Sequence, residues 1–199
     1  MPRTSDARQR MIQSAALLFR ERGIEGTTFA DVLEHSGAPR GSVYHHFRGG
    51  KTQLAEESVR WAGEFTLAGT AAVLQEHDPV AAVGIFRRQW SEILRDSDFR
   101  AGCPIVAAAV DGEHEPTVRE IAGEVFADWE QLIADAFAER GVPADRARSM
   151  ATLLVAAIEG GIVLSRAQRS VKPLERVTAE LETVIATAFA PVAGARSTT

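Results

Sequence analysis

Cysteine is almost absent from this 199-residue sequence, in which Cys103 is the one example. A single cysteine excludes an intrachain disulfide and is consistent with a reducing cytoplasm. Long apolar runs are missing as well, since no stretch approaches about 18 consecutive apolar residues. We therefore expect a cytoplasmic protein with neither a signal peptide nor a membrane span.

The sequence also lacks the side-chain patterns on which most enzymes depend. It has no nucleophile paired with a base and no phosphate-binding loop of the form Gly-x-x-x-x-Gly-Lys. None of its five histidines lies four residues from another or at ligand spacing from the cysteine, so we expect no metal site. We expect no enzyme and no cofactor; a small helical enzyme or ligand carrier is the alternative.

A net charge of −5 argues at first against a nucleic-acid partner. The charge is unevenly distributed, because residues 1–52 hold eight Lys or Arg against five Asp or Glu, whereas the remainder holds 14 against 22. The basic N-terminal end is therefore the predicted DNA-binding end. The acidic remainder suits solubility or partner binding.

A short stretch in the basic end predicts two helices joined by a tight turn. Thr28 is a suitable N-cap, and Gly37 suits the left-handed position at the end of the first helix. Pro39 is placed to start the second helix, whose apolar side would hold Val43 and Phe47. A turn of about three or four residues containing Gly is typical of the DNA-reading helix-turn-helix.

Apolar residues at helical spacing continue on both sides of this motif. They predict helices near 5–22, 52–74, 79–95, 116–141, 144–169 and 173–190, with a short apolar segment at 105–110. The expected core of the first three helices is Ile12, Ala16, Phe19, Val32, Leu33, Val43 and Phe47. Since no alternating strand pattern exceeds chance, the sequence predicts an all-α protein.

The motif resembles the DNA-binding domain of the tetracycline-repressor-like (TetR) transcriptional regulators. The matching elements are Thr27-Thr28, Ser36-Gly37, Tyr44-His45-His46-Phe47 and Lys51. Pro39 departs from the pattern, because family members often carry Ser or Thr there. The resemblance implies a three-helix DNA-binding domain joined by a long helix to a C-terminal helical domain for ligand binding and dimerisation.

The residues predicted to contact DNA are Thr27, Thr28, Arg40, Gly41, Ser42, Tyr44, His45 and Lys51. Arg40 is the predicted base reader, because Arg commonly bonds guanine through two parallel hydrogen bonds. Thr27 and Lys51, at predicted helix starts, suit phosphate groups. Arg3, Arg8 and Arg10 either assist at the DNA backbone or belong to a solvated terminus.

The family layout implies a small-molecule pocket inside the C-terminal helices and a dimeric four-helix bundle made by the last two. The candidate pocket residues are Trp61, Phe65, Phe86, Trp90, Cys103, Phe126 and Trp129, and each is singly also compatible with plain core. The candidate dimer residues are Leu153, Ala157, Gly160, Gly161, Leu181 and Ile185. The strings Gly102-Cys103-Pro104-Ile105 and Glu159-Gly160-Gly161 further resemble the branch that includes repressors of multidrug-efflux genes.

The sequence thus predicts a dimeric repressor that a small apolar or aromatic ligand releases from a palindromic DNA operator. Residues 1–50 would form the DNA-binding domain, 51–191 the ligand-binding and dimerisation domain, and 192–199 a disordered tail. A ligand-independent regulator or an activator is an alternative that the sequence does not separate from this one.

Overall fold

The computed structural model describes residues 4–39, 41–111 and 115–189, and for Thr4, Ser5, Ser42 and Tyr44 the backbone alone. The helices are α1 (Thr4–Arg22), α2 (Phe29–Ser36), α3 (Ser42–His46), α4 (Gly50–Glu76), α5 (Pro79–Asp96), α6 (Pro104–Asp111), α7 (Pro116–Ala138), α8 (Ala144–Gln168) and α9 (Lys172–Phe189). No strand occurs in these three ranges, and the all-α prediction is confirmed. The predicted tail at 192–199 lies outside the described residues.

The first three helices pack around one apolar core. Six of the seven predicted core residues are buried, and Leu33 packs against them partly buried. Thr28 caps α2 through a reciprocal pair of hydrogen bonds with Asp31, and Gly37 ends it in the left-handed conformation at φ 64°. Local capping chemistry therefore sets both ends of α2.

Helix α3, the second helix of the motif and the predicted recognition helix, begins at Ser42, three residues later than Pro39 was expected to start it. Pro39 belongs to the turn instead. The Ser36 hydroxyl at the end of α2 accepts a hydrogen bond from the backbone N–H of the buried Ala38. This bond fixes the residue before Pro39 to the end of α2. The turn is longer and α3 shorter than the sequence suggested.

The long helix α4 connects the first three helices with the rest of the chain. It packs against both α1 and α7. A Cβ atom on Gly63 would lie 2.5 Å from Cγ2 of Val125, so the glycine lets α4 and α7 approach closely. Asp78 then caps α5 by accepting hydrogen bonds from the N–H groups of Val80 and Ala81.

Helices α8 and α9 pack against each other within the chain. Gly161 explains part of this closeness, since a Cβ there would lie 3.3 Å from Cδ1 of Leu174 in α9. Among the described helices, α8 is the one long and apolar enough to cross a membrane, but half of its most apolar 18-residue window is buried in the fold. Such burial is typical of a core helix.

Candidate DNA-reading surface and ligand cavity

The recognition helix is held by its apolar side. Val43 and Phe47 are buried in the shared core, whereas Gly41 and His45 are exposed. Arg40, the predicted base reader, lies outside the described residues. Ser42 and Tyr44 lie on α3, and their side chains are likewise outside the description. Of the polar α3 side chains that the structure describes, His45 is exposed and His46 is half-buried.

Thr27 is not placed like a phosphate contact. Its side chain is only 1% exposed, and its hydroxyl donates a 2.8 Å hydrogen bond to the carbonyl of Gly23. Thr28 is exposed but uses its hydroxyl in the cap with Asp31. The hydrogen bonds from Thr28, with Arg22 nearby, lower the pKa of the Asp31 carboxyl. The two threonines therefore shape the start of α2.

Lys51 lies in the first turn of α4, directly after the loop that follows α3. Its Nζ donates to the backbone carbonyl of Glu25 at 3.3 Å. This contact holds the ammonium group between the start of α4 and the segment before α2. A lysine at the start of a helix, where the helix dipole is positive, is suited to a phosphate.

His45 and His46 end the recognition helix. Their ring centroids lie 5.2 Å apart in an edge-to-face arrangement. Burial lowers the pKa of His46, and the charges of His45 and Arg8 lower it further. A ring kept neutral can both donate and accept a hydrogen bond.

A polar network behind α3 escaped the sequence analysis. Arg8 pairs with Glu57 of α4, and its guanidinium carbon lies 5.3 Å from the centroid of the Phe47 ring. Arg10 donates from Nε to the carbonyl of Ser36 at 3.2 Å. Residues 8 and 57 are too far apart in the chain for any local pattern to indicate the pair.

A narrow apolar cavity lies between α4, α5, α7 and α8 and opens to solvent at one side. Its walls are Thr70, Val73, Leu74, Pro79, Ala82, Val83, Phe86, Trp129, Ile133, Phe137, Leu154 and Ile158. Phe86 and Trp129 were predicted from sequence. The aliphatic walls were missed because their helical spacing is also that of ordinary core.

The other five predicted pocket residues do not line this cavity. Phe65 is 71% exposed and stacks on Trp61, with ring centroids 5.8 Å apart. The buried apolar residues form two clusters, one made by α1–α4, α6 and the first half of α7, the other mainly by α5, the second half of α7, α8 and α9. Trp90 and Phe126 are partly buried and pack against both clusters. Cys103 is buried in the cluster that includes α1–α4. Aromatic character alone did not distinguish a cavity wall from core or from surface.

Cys103 lies beside a buried carboxyl, Glu159 of α8. Burial raises the pKa of the Cys103 thiol well above its ordinary value. Burial also raises the pKa of Glu159 to about 7, and the thiol opposes this shift only in part. Among the described residues, neither oxygen of Glu159 has a hydrogen-bond partner of ordinary geometry.

The predicted dimer residues divide into buried and exposed groups. Leu181 and Ile185 are buried in the core of their own chain, so they are not free to face a partner. Gly161 faces α9 of the same chain. Leu153 is about half exposed, and Gly160 has open space around it.

Val163 and Leu164, which were not predicted, are also about half exposed on α8. With Leu153, Ala157 and Gly160 they form the surface that we call the α8 face. Ala157 is half-buried at its edge. The uncovered apolar face therefore runs along α8 and does not include the buried positions of α9.

The end of α1 is fastened to the C-terminal helices. The Gly102 N–H donates to the carbonyl of Arg20 at 2.8 Å, and Arg166 of α8 donates to the carbonyl of Glu21 at 3.3 Å. The Ile24 N–H donates to Asp111 of α6 at 3.1 Å. The end of α1 and the segment that follows it are therefore hydrogen-bonded to α6, to the residues just before α6 and to α8.

Comparison with known proteins agrees with this architecture. Residues 11–58 match the family described as bacterial regulatory proteins, tetR family, and residues 79–180 match the LmrA/YxaF-like transcriptional regulator C-terminal domain. An uncharacterized HTH-type transcriptional regulator of Mycobacterium tuberculosis is 43% identical over 189 residues, which cover 89% of this chain and 93% of that protein.

Two further proteins extend the comparison. The HTH-type transcriptional regulator LmrA of Bacillus subtilis is 31% identical over 176 residues, covering 87% of this chain and 93% of its own. The crystal structure of a TetR transcriptional regulator from Chloroflexus aurantiacus superposes with a TM-score of 0.70 at 29% identity, over 94% and 97% of the two chains. These proteins are regulators, not enzymes, as the sequence led us to expect. The chain belongs to the TetR family of DNA-binding transcriptional regulators.

Proposed function

We propose that this regulator is a homodimeric repressor that leaves a palindromic operator when a small apolar or aromatic ligand enters the cavity. The observation that carries the proposal is the course of α4. This helix starts beside the recognition helix with Lys51 and contributes Thr70 and Leu74 to the cavity wall. A ligand that moves the wall therefore moves the DNA end of the same rigid helix.

In this proposal residues 1–50 bind DNA, and residues 51–191 bind the ligand and form the dimer. Arg40, Gly41, Ser42, Tyr44 and His45 are the proposed groove contacts. Lys51 and the exposed Thr28 are the proposed phosphate contacts. The side chain of Thr27 leaves this set because it is buried.

The α8 face supports the dimer. A row of half-exposed aliphatic side chains on one helix is costly in water and is suited to an identical face of a second copy. A two-fold axis through this face would relate two recognition helices. An operator read by such a pair is palindromic, with half-sites about 34–36 Å apart.

The cavity lining supports an apolar ligand. Thr70 and Trp129 carry the polar side-chain atoms of the walls, and they already bond each other at 3.0 Å. A strongly charged ligand would lose its hydration without gaining partners. The match of residues 11–58 to the DNA-binding domain of this family supports action on DNA, and hence in the cytoplasm.

Reciprocity tests ligand release. A thermal-shift screen of uncharged aromatic compounds supplies a ligand, and a random DNA pool enriched on the protein supplies an operator duplex. Calorimetric titrations should show that ligand and duplex weaken each other's binding by the same factor. Unchanged ligand affinity in the presence of the duplex would favour the ligand-independent alternative, and tighter DNA binding with ligand would favour a co-repressor or an activator.

A further inference from the structure

Arg8 of α1 contacts the end of the recognition helix and α4 at once. Its guanidinium lies over the Phe47 ring, 5.3 Å from the centroid, and its Nη2 pairs with Oε2 of Glu57. We propose that Arg8 is a positioning residue, which sets the orientation of α3 through Phe47 and Glu57 and does not contact DNA. This inference extends the family's DNA binding and is independent of ligand release.

The recognition helix depends on what packs behind it. It has five residues, and isolated helices shorter than about 12–15 residues are marginal in water. Gly41 precedes it without a side-chain cap, so its start is not fastened locally. Its direction therefore follows from the packing of Val43 and Phe47, and the guanidinium of Arg8 forms one wall against Phe47.

The second partner of Arg8 is itself part of a chain of hydrogen bonds. Gln53 donates from Nε2 to Oε1 of Glu57 at 2.9 Å. The backbone N–H of Gly49, in the link between α3 and α4, donates to Oε1 of Gln53 at 2.9 Å. Both oxygens of Glu57 thus have a donor, and Arg8 ties α1 to the link and to α4 through them.

The ion pair is partly shielded from water. The side chains of Arg8 and Glu57 are 38% and 25% exposed. Such a pair is screened less than one in open solvent. A guanidinium neutralised by a carboxylate is also a weaker partner for a phosphate, so the geometry favours positioning over direct contact.

Three variants distinguish positioning from a phosphate contact. The probe is the duplex that the wild-type protein enriches from a random-sequence pool, with a scrambled duplex as the non-specific reference. Arg8→Gln removes the cation, Arg8→Lys keeps the charge but loses the flat surface on Phe47, and Glu57→Gln frees the cation. Arg60→Gln is the matched control. Arg60 lies further along α4 and forms an exposed ion pair with Glu124 of α7.

Positioning predicts that Arg8→Gln, Arg8→Lys and Glu57→Gln each weaken selected-duplex binding, by about tenfold for Arg8→Gln. The slope of log K against log salt stays at the wild-type value, and scrambled-duplex binding is unchanged. Because Glu57 acts through Arg8, the double variant Arg8→Gln/Glu57→Gln is no weaker than Arg8→Gln alone. Arg60→Gln binds like the wild type.

A phosphate contact predicts the opposite pattern. Arg8→Lys and Glu57→Gln would bind the selected duplex as well as the wild type or better. Arg8→Gln would reduce the salt slope by about 0.9 per protomer and weaken both duplexes alike. Unimpaired binding by Arg8→Lys and Glu57→Gln overturns the proposal, and so does a reduced salt slope for Arg8→Gln. If thermal unfolding shows Arg8→Gln to be unfolded, Arg8→Lys and Glu57→Gln decide the question by themselves.

Discussion

The indole N–H of Trp129 in α7 donates to the hydroxyl oxygen of Thr70 in α4 across 3.0 Å, in buried surroundings. This bond joins the two helices at the cavity wall. Thr70→Val should destabilise the protein by about 1–3 kcal/mol, because it leaves the indole N–H buried without a partner. Urea denaturation of Thr70→Val, Trp129→Phe and the double variant measures this free energy of unfolding. In a Trp129→Phe background the same change should cost clearly less, and an equal cost would contradict the bond.

The close approach of α4 and α7 leads to a paired prediction on two glycines. Gly63→Ala should destabilise by about 1–3 kcal/mol, because its Cβ would lie 2.5 Å from Cγ2 of Val125. Gly69→Ala on the same helix meets nothing within 4 Å and should stabilise by up to about 1 kcal/mol. Chemical denaturation of the two variants should therefore give opposite signs. Equal effects would mean that α4 and α7 are further apart than described.

Glu159 should make stability depend on pH. Its pKa is 4.5 in the unfolded reference and about 7 in the fold, so the native state holds the proton more tightly. Stability is then lost as pH rises from about 4.5 to about 7, by about 3 kcal/mol in all, and the loss is constant above that. Glu159→Gln should therefore match the wild type near pH 5 and exceed it near pH 8. The exposed Glu92→Gln is the control, and parallel curves for Glu159→Gln and wild type would refute the shift.

The α8 face gives a test of dimerisation. Leu164→Glu places a charge on the exposed apolar row and should yield folded monomers with weakened operator binding. Sedimentation velocity measures the mass, and circular dichroism confirms the fold. Ala72→Glu, on the exposed side of α4, should remain dimeric. By contrast Leu181→Glu should unfold the chain, because Leu181 is buried within it. A dimeric Leu164→Glu protein would exclude this face.

Arg40 and Lys51 should affect DNA binding differently. Arg40→Ala should cost about 1–3 kcal/mol on the operator and relax preference at one base pair, because it removes a base contact. Lys51→Ala should weaken all duplexes alike and lower the salt slope by about 0.9 per contact. Competition against single-base-pair variants of the selected duplex measures both. The same loss of preference from the two variants would refute this division of roles.

The helices were readable from the sequence because their signals are local. Thr28 and Gly37 end α2 through atoms a few residues away, and Asp78 caps α5 in the same manner. Spacing every three to four residues marked the longer helices within a few residues of their ends. The DNA-binding motif was readable for the same reason, because its matching residues all lie between Thr27 and Lys51 in the sequence.

Only the tertiary structure decided which apolar positions became core, cavity wall or exposed face. Leu181 and Leu164 look alike in sequence, yet the first is buried by its own chain and the second is left open. Trp129 became a cavity wall while Phe65 stayed in solvent. Helical periodicity tells which residues share a side of a helix, but which side is covered depends on neighbours distant in the chain. The pairing of Arg8 with Glu57 has the same origin, because no local pattern relates two charges on helices that meet only after folding.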